Sequence, residues 1–358
     1  MMNTQNPCIT EGNVDITVVI PVWNDPVGLA RLLDQIGELG IFREAIVVDD
    51  ASSEVIDIEA ARAALTRSGT RLNYIAVPEQ HGAGHARNLG LKHVTTSHVL
   101  FFDSDDLFGE DIGAIVDQMK AVLAPPAQSG EEASDDAAAV PVKPIDFDFC
   151  IFRHHDSRND LAERRGPLDS DERRWQKAGI TATPSLLSDK QMVALVSLAA
   201  YPWNKIYRTS FLRDNGIRCT EIMVHNDIEL HWTSFLVART VLATNAIGAV
   251  HFFSTEGARL TNRRDADRLH VVNAWEGVFQ RTKQSKRGIL FLDSFLDFYV
   301  KLVDWIEANM DDEHTNSLAR LVSRQLLQYL SVREMRLIAY NNPRLAGQIN
   351  KTIMRGWE

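Results

Sequence analysis

Asp15-Ile-Thr-Val-Val-Ile-Pro-Val22, followed by Trp23-Asn24-Asp25-Pro26, decides the fold. A short, β-branched, apolar run suits a buried parallel strand, and the polar turn behind it leads into a helix. Pro26 fits the first helical turn, Leu29, Leu32, Leu33, Ile36 and Leu39 recur at helical spacing, and Gly40 is a natural stop. The alternation repeats downstream. Strand Glu44–Val48 meets the acidic turn Asp49-Asp50-Ala51-Ser52-Ser53, a helix near Asp57 to Ser68, and strand Arg71–Val77. The loop Glu79–Gly84, a helix from His85 to about Val94 and strand His98–Phe102 complete the series. Such alternation predicts βαβ units and a parallel sheet whose ligands gather at the carboxyl ends of the strands. The turns Trp23-Asn24-Asp25, Asp49-Asp50 and Asp103-Ser104-Asp105-Asp106 then share one rim.

The last of these turns presents three carboxylates at a strand end. A hard divalent cation such as Mg²⁺ or Mn²⁺ takes oxygen ligands and is often held by one or two carboxylates, leaving positions for substrate phosphates. Helix capping by Asp103 and Ser104 is the competing reading of the tetrapeptide alone. Convergence with the other two turns favours a site.

The 358 residues are 45% hydrophobic, enough for a sizeable core. A net charge of −10 argues against a general nucleic-acid binder, whose footprint is basic. Three scattered cysteines, Cys8, Cys150 and Cys219, have no metal-ligand spacing and suit a reducing compartment. No bilayer-length apolar run or leader pattern is seen, so a cytoplasmic protein is expected.

The segment 124–144, biased to Pro, Ala, Ser and acids, reads as a mobile surface loop. His154 to Gly179 is highly charged and reads as irregular. From about Asn273 the pattern is helical, with Leu292, Phe295, Leu296, Tyr299, Leu302, Val303 and Ile306 on one face. Core packing is the default for the stripe Phe291, Phe295, Phe298, Tyr299 and Trp305, with peripheral membrane contact as the alternative. The expected division is a sheet domain over 1–270 and a helical region over 271–358.

Five segments together resemble the family 2 glycosyltransferases, over roughly Asp15 to Leu260. They are Val19-Ile-Pro-Val-Trp-Asn24, Ile46-Val-Val-Asp-Asp-Ala-Ser-Ser53, Gly82-Ala-Gly-His-Ala-Arg-Asn-Leu-Gly90, Leu100-Phe-Phe-Asp-Ser-Asp-Asp106, and Trp203-Asn-Lys-Ile-Tyr-Arg208 with His225-Asn-Asp227. The resemblance implies an α/β, Rossmann-like GT-A domain with a mostly parallel central sheet, followed here by the helical appendage. It implies metal-dependent, inverting transfer from a nucleoside-diphosphate sugar, with Mn²⁺ or Mg²⁺ as cofactor.

By that likeness Asp105 is the metal ligand, Asp103 lies near the ribose or a metal-bound water, and Ser104 joins the nucleotide site. Pro21, Val22 and Trp23 would contact the base, and Asp50 would accept the N3–H of uracil, which makes UDP-sugars the leading donors. Arg87 reads as a nucleotide or structural contact, and Trp203, Asn204 and Lys205 as the donor–acceptor floor. Asp227 aligns with the catalytic base, although Asn226 stands where the family commonly has Glu, and His225 and Glu229 are alternative bases. By the same likeness His251, Ser254 and Arg259 fall where the family often has a segment closing over the diphosphate, and His251 is weighed as a metal or phosphate contact against a structural role. The acceptor could be a saccharide, a lipid-linked oligosaccharide or a protein. Nucleotidyl transfer is disfavoured because no Gly-rich, Arg-containing loop follows the first strand. A non-catalytic sugar-nucleotide binding or scaffold protein is the remaining alternative.

Overall fold

The structure is a computed structural model in which residues 14–123, 146–253 and 263–357 are described. The expected loop 124–144 lies outside these residues. The chain opens with β1 (Ile16–Val22), α1 (Pro26–Leu39), β2 (Glu44–Asp49), α2 (Ile58–Thr66), β3 (Arg71–Ala76), α3 (Ala83–His93) and β4 (His98–Phe101). Then come β5 (Leu107–Phe108), α4 (Ile112–Leu123), β6 (Phe149–Asp156), α5 (Asp169–Ala178), β7 (Ser185–Leu186), α6 (Asp189–Leu195) and β8 (Lys205–Arg208). It continues through α7 (Thr209–Asp214), α8 (Ile228–Val237), β9 (Val241–His251) and the helices α9 (Val271–Gln284), α10 (Gly288–Ala308), α11 (Asp312–Tyr329), α12 (Val332–Asn341) and α13 (Pro343–Arg355).

Every residue of β1 and β2 is buried, as continuous apolar strands require when both faces are covered. The strands run in the order β3-β2-β1-β4-β8-β6-β9-β5, with β7 also on β9. Pairings among β3, β2, β1 and β4 are parallel, as is the long β6–β9 ladder, whereas β8, β5 and β7 join antiparallel. The sheet is thus α/β and mostly parallel by ladder length. Because β1 is flanked by β2 on one side and β4 on the other, strand order reverses there. The crevice outside the carboxyl ends of β1 and β4 is where such sheets take ligands.

The charged stretch expected to be irregular is ordered. β6 runs to Asp156, a 3-10 turn covers Ser157–Ala162, and α5 follows. Three acids in the first turn of α5 favour its positive end, and Gly179 closes it in the left-handed conformation. Its one large apolar anchor is buried Trp175, too little for a periodicity to show in the sequence.

Of the aromatic stripe of α10, three members pack inward, Phe298 is partly buried and Trp305 is 46% exposed. Phe291, Phe295 and Tyr299 are fully buried, and Tyr299 lies against Trp275 of α9 with ring centroids 4.1 Å apart. One hydrophobic cluster runs from Val19 of β1 through Phe149 and Trp232 to Ile349 of α13. Among the described residues no helix is long and apolar enough to cross a membrane.

Candidate active site

The loops after β1 and β2 are stitched together. Asn24 Oδ1 accepts the N–H groups of Ser53 at 2.7 Å and Glu54 at 3.2 Å, and Asn24 N–H donates to Ser52 Oγ at 2.9 Å. Asn24 and Ala51 both adopt positive φ, 50° and 61°, a conformation uncommon outside glycine that loop contacts must hold in place. Asp25 caps α1 by accepting Gly28 N–H, and its other oxygen accepts Ser104 Oγ at 2.7 Å. The acidic turn after β4 is thereby fixed to the loop after β1.

Asp49 and Asp50 point to different partners. Asp49 accepts the Tyr74 hydroxyl at 2.5 Å and Ser52 N–H. Asp50 is almost wholly buried and accepts His81 N–H at 2.9 Å and Gly82 N–H at 2.7 Å, one on each oxygen. Gly82 has φ 88°, which suits glycine alone, and it opens α3.

The first turn of α3 grips the distal segment 219–227. A Cβ on Gly84 would lie 2.3 Å from the Thr220 carbonyl oxygen, so only glycine permits that approach. Asn88 donates to the Cys219 carbonyl and accepts Cys219 N–H, both at 2.9 Å. Arg87, buried, donates to Asn226 Oδ1 at 2.6 Å and to Asp103 Oδ1 at 2.5 Å. One guanidinium therefore holds the acidic turn and the loop carrying Asp227 on either side of itself. His225 in that loop also has positive φ, 64°.

Asp103, Asp105 and Asp106 present carboxylate oxygens within 4.8 Å of one another. Asp106 is buried and accepts Phe252 N–H at 3.0 Å and pairs with His251 Nδ1 at 2.9 Å. Burial pushes the Asp106 carboxyl up against the pull of His251, while His251 is raised because Asp106 outweighs the effect of its own burial. His251 stacks on Trp203, which stacks on Tyr201 with centroids 4.4 Å apart. Asp103 and Asp105 are the part-exposed members of the cluster. Arg31 of α1 donates to the Asp105 carbonyl at 2.8 Å.

Glycosyl transferase family 2 matches residues 17–125, the part containing the first four strands and the acidic turn. The similarity to that family covers 109 of the 358 residues. Two curated relatives are similar over short stretches as well. The pre-mycofactocin glycosyltransferase of Mycobacterium tuberculosis is 36% identical over 91 residues, 25% of this chain and 18% of that protein. The amylovoran biosynthesis glycosyltransferase AmsB of Erwinia amylovora is 27% identical over 100 residues, 28% of this chain and 33% of that protein. The chain thus matches only a minor part of either relative's length. Among solved structures, S. aureus TarS 1–349 in complex with UDP-GlcNAc superposes with a TM-score of 0.69 at 17% identity, covering 96% of this chain and 89% of that one. That likeness is one of fold, and its coverage takes in the C-terminal helices as well as the sheet.

The expected residues fall into two groups. Trp23, Asp103 and Asp105 are part-exposed at the rim, with Pro21 and Val22 buried in β1 beneath them. Trp203, Asn204 and Lys205 form a buried layer. Lys205 Nζ donates inward to the Tyr201 carbonyl and to Asn204 Oδ1, both at 2.6 Å, and burial brings it down to about 7 despite the charges of Asp227 and Asp171.

Burial pushes Asp227 up to about 6, the Arg87 charge opposing the rise. Burial and Arg268 hold His225 down at about 3, so its imidazole is a poor proton acceptor at neutral pH. Glu229 accepts the Thr220 hydroxyl at 2.6 Å and packs against Gly277 of α9. Ser254 and Arg259 lie outside the described residues.

Sequence reasoning did not find the bracing roles of Asn24, Asn88 and Tyr74. Of these only Asn24 carried a signal, an Asn in a turn where left-handed backbone is tolerated.

Proposed function

We propose that the chain is a glycosyltransferase moving a sugar from a nucleoside-diphosphate sugar, with UDP-sugars the leading donors, to an acceptor hydroxyl. The observation that carries the reading is the Arg87 bridge. It brings a carboxylate of raised proton affinity to a cluster of hard oxygen donors, and the likeness of residues 17–125 to family 2 supports a chemical sense for that pairing.

The donor set fits Mn²⁺ or Mg²⁺: three carboxylates, with Asp105 the direct ligand and Asp106 braced by His251 and Phe252 N–H. When bound there, such an ion neutralises charge developing on the departing diphosphate. Pro21, Val22 and Trp23 line the base, and Asp103 lies toward the ribose. Asp50 accepts the uracil N3–H on a lone pair left by its two backbone bonds, since each carboxylate oxygen takes more than one donor. Arg87 and Ser104 serve the nucleotide through the groups they hold, Asp103 and Asp25.

Asp227 takes the proton from the acceptor hydroxyl as that oxygen attacks the anomeric carbon opposite the diphosphate. A single displacement of this kind inverts the anomeric centre. Trp203, Asn204 and Lys205 support the floor beneath. The acceptor is proposed to be a saccharide of a surface polysaccharide or glycoconjugate, lipid-linked or protein-borne, and a cytoplasmic setting goes with this reading.

The test is calorimetric titration of UDP into metal-free protein with and without Mn²⁺, repeated on Asp105→Ala. Binding should need the ion and fall at least about tenfold in the variant, as loss of a ligand predicts. Metal-independent binding that Asp105→Ala leaves unchanged would sink the assignment. The non-catalytic alternative rests on Asn226, and here Asn226 is the acceptor for Arg87. Hydrolysis of UDP-sugar by the purified protein would exclude that alternative.

A further inference from the structure

The last three helices carry a charge opposite to the rest of the molecule. Asp312–Arg355 hold seven Lys and Arg against three acids, net +4, while the rest of the chain, with 31 cations against 45 acids, is at −14. Arg320, Arg324, Arg333, Arg336, Arg344 and Lys351 are all exposed. On α11, Arg320, Arg324 and Leu327 lie at i, i+4 and i+7, one face of the helix. On α13, Arg344, Lys351 and Met354 do the same at i, i+7 and i+10.

Apolar groups are interleaved with these cations. α12 buries only Ile338 fully, although it is amphipathic, and it turns Val332, 70% exposed, and Tyr340, 87% exposed, outward beside Arg333 and Arg336. Trp357, just past α13, is 73% exposed. Between α11, α12 and α13 opens a groove of about 410 Å³ lined by Leu327, Leu330, Met335 and Ile353, with Arg336 in its wall. Exposed apolar surface of this kind, rimmed by charge, marks an interaction site.

We propose that the outer face of α11, α12 and α13 docks on an anionic membrane surface. Charge selects the occupant. A second copy seated on this face would bring the same cations against themselves, since a two-fold interface is self-complementary. An anionic bilayer attracts exposed cations of this kind, lets the long Arg stems lie along the acyl boundary, and takes Tyr340 and Trp357 at headgroup depth. The −14 of the remaining chain is repelled by the same surface, which orients the molecule with this face down. The face is separate from the stripe Phe291, Phe295 and Tyr299, which is spent on the core.

The proposal reads partition rather than catalysis, so it stands or falls apart from the glycosyltransferase reading. Co-sedimentation with phosphatidylcholine vesicles, with and without phosphatidylglycerol, at low and high salt, tests it on the whole chain. Binding should favour the anionic vesicles about tenfold or more and weaken with salt. Arg333→Gln with Arg336→Gln should lose about an order of magnitude or more, at roughly fivefold per cation removed. Tyr340→Ser should weaken binding with an unchanged helical circular dichroism spectrum. Equal partition onto both vesicle types, or none onto either, would overturn the proposal. So would a dimer in the protein alone that Arg333→Gln with Arg336→Gln breaks, which assigns the face to a second copy. Binding to polyglutamate without binding to vesicles would reassign it to an acidic protein.

Discussion

Asp227 meets two opposed demands: a base must be ionised to accept a proton, yet burial raises the cost of ionising it. Its value of about 6 reconciles them near neutral pH, where the carboxylate form predominates and still has more proton affinity than an exposed Asp. Transfer should therefore fall about tenfold per pH unit below about pH 6 and level off above about pH 7, since protonation removes the base form. Asp227→Asn should lower transfer by roughly 10²–10⁴ while UDP binding persists, and near-normal turnover in that variant would dismiss the role. Arg87 lowers the proton affinity of Asp227. Arg87→Gln should then move the midpoint of the pH profile upward, provided circular dichroism shows the fold retained. A midpoint that stays put would mean that the bridge to Asn226 and Asp103 works by geometry alone.

At the scale of elements, the site depends on how closely α3 approaches segment 219–227. Gly84→Ala puts a methyl carbon 2.3 Å from the Thr220 carbonyl oxygen, so the segment must retreat. Transfer should drop with it, by about 10²-fold for a displacement near 1 Å, while UDP affinity changes less because the rim after β1 and β4 is untouched. Equal losses of transfer and of UDP affinity would count against this division of labour. The βαβ order and the rim were legible in the sequence because β1 and β2 are built on runs of buried Val and Ile and Gly40 and Pro26 punctuate α1. The bracing was not. Asn88 reaches Cys219 across 131 positions, and neither residue carries a local signal of the other. α5 was missed for a related reason: a helix fixed by one Trp, first-turn acids and a glycine stop shows no apolar period. Asp50 reads in sequence as a base contact ahead of a turn or helix cap, and the fold gives it two backbone partners without removing its remaining lone pairs.

For the whole molecule, the hydrophobic cluster joins what the sequence divides. Trp232 of α8 stands edge-on to Phe295 of α10 at 5.2 Å, Trp275 of α9 contacts Tyr299, and the same cluster reaches Val19 in the sheet. Each such side chain gains roughly 1.5–3 kcal/mol from burial, more for the large aromatics, so the contacts between sheet layer and helices rival the cohesion within either. The polar links run the same way: Arg287, just ahead of α10, donates to the Ala238 carbonyl and to Asp189 of α6, each at 2.5 Å. Two weakly coupled domains would unfold in two steps, whereas a shared core couples them into one. Denaturant unfolding followed by tryptophan fluorescence, which samples both halves, should therefore coincide with that followed by far-ultraviolet circular dichroism, in a single transition. Phe295→Ala, on the helical side of the seam, should destabilise by about 3–5 kcal/mol and lower the midpoint of both signals together. Separate midpoints, with Phe295→Ala moving only one of them, would show instead that residues 271–358 fold as a unit of their own.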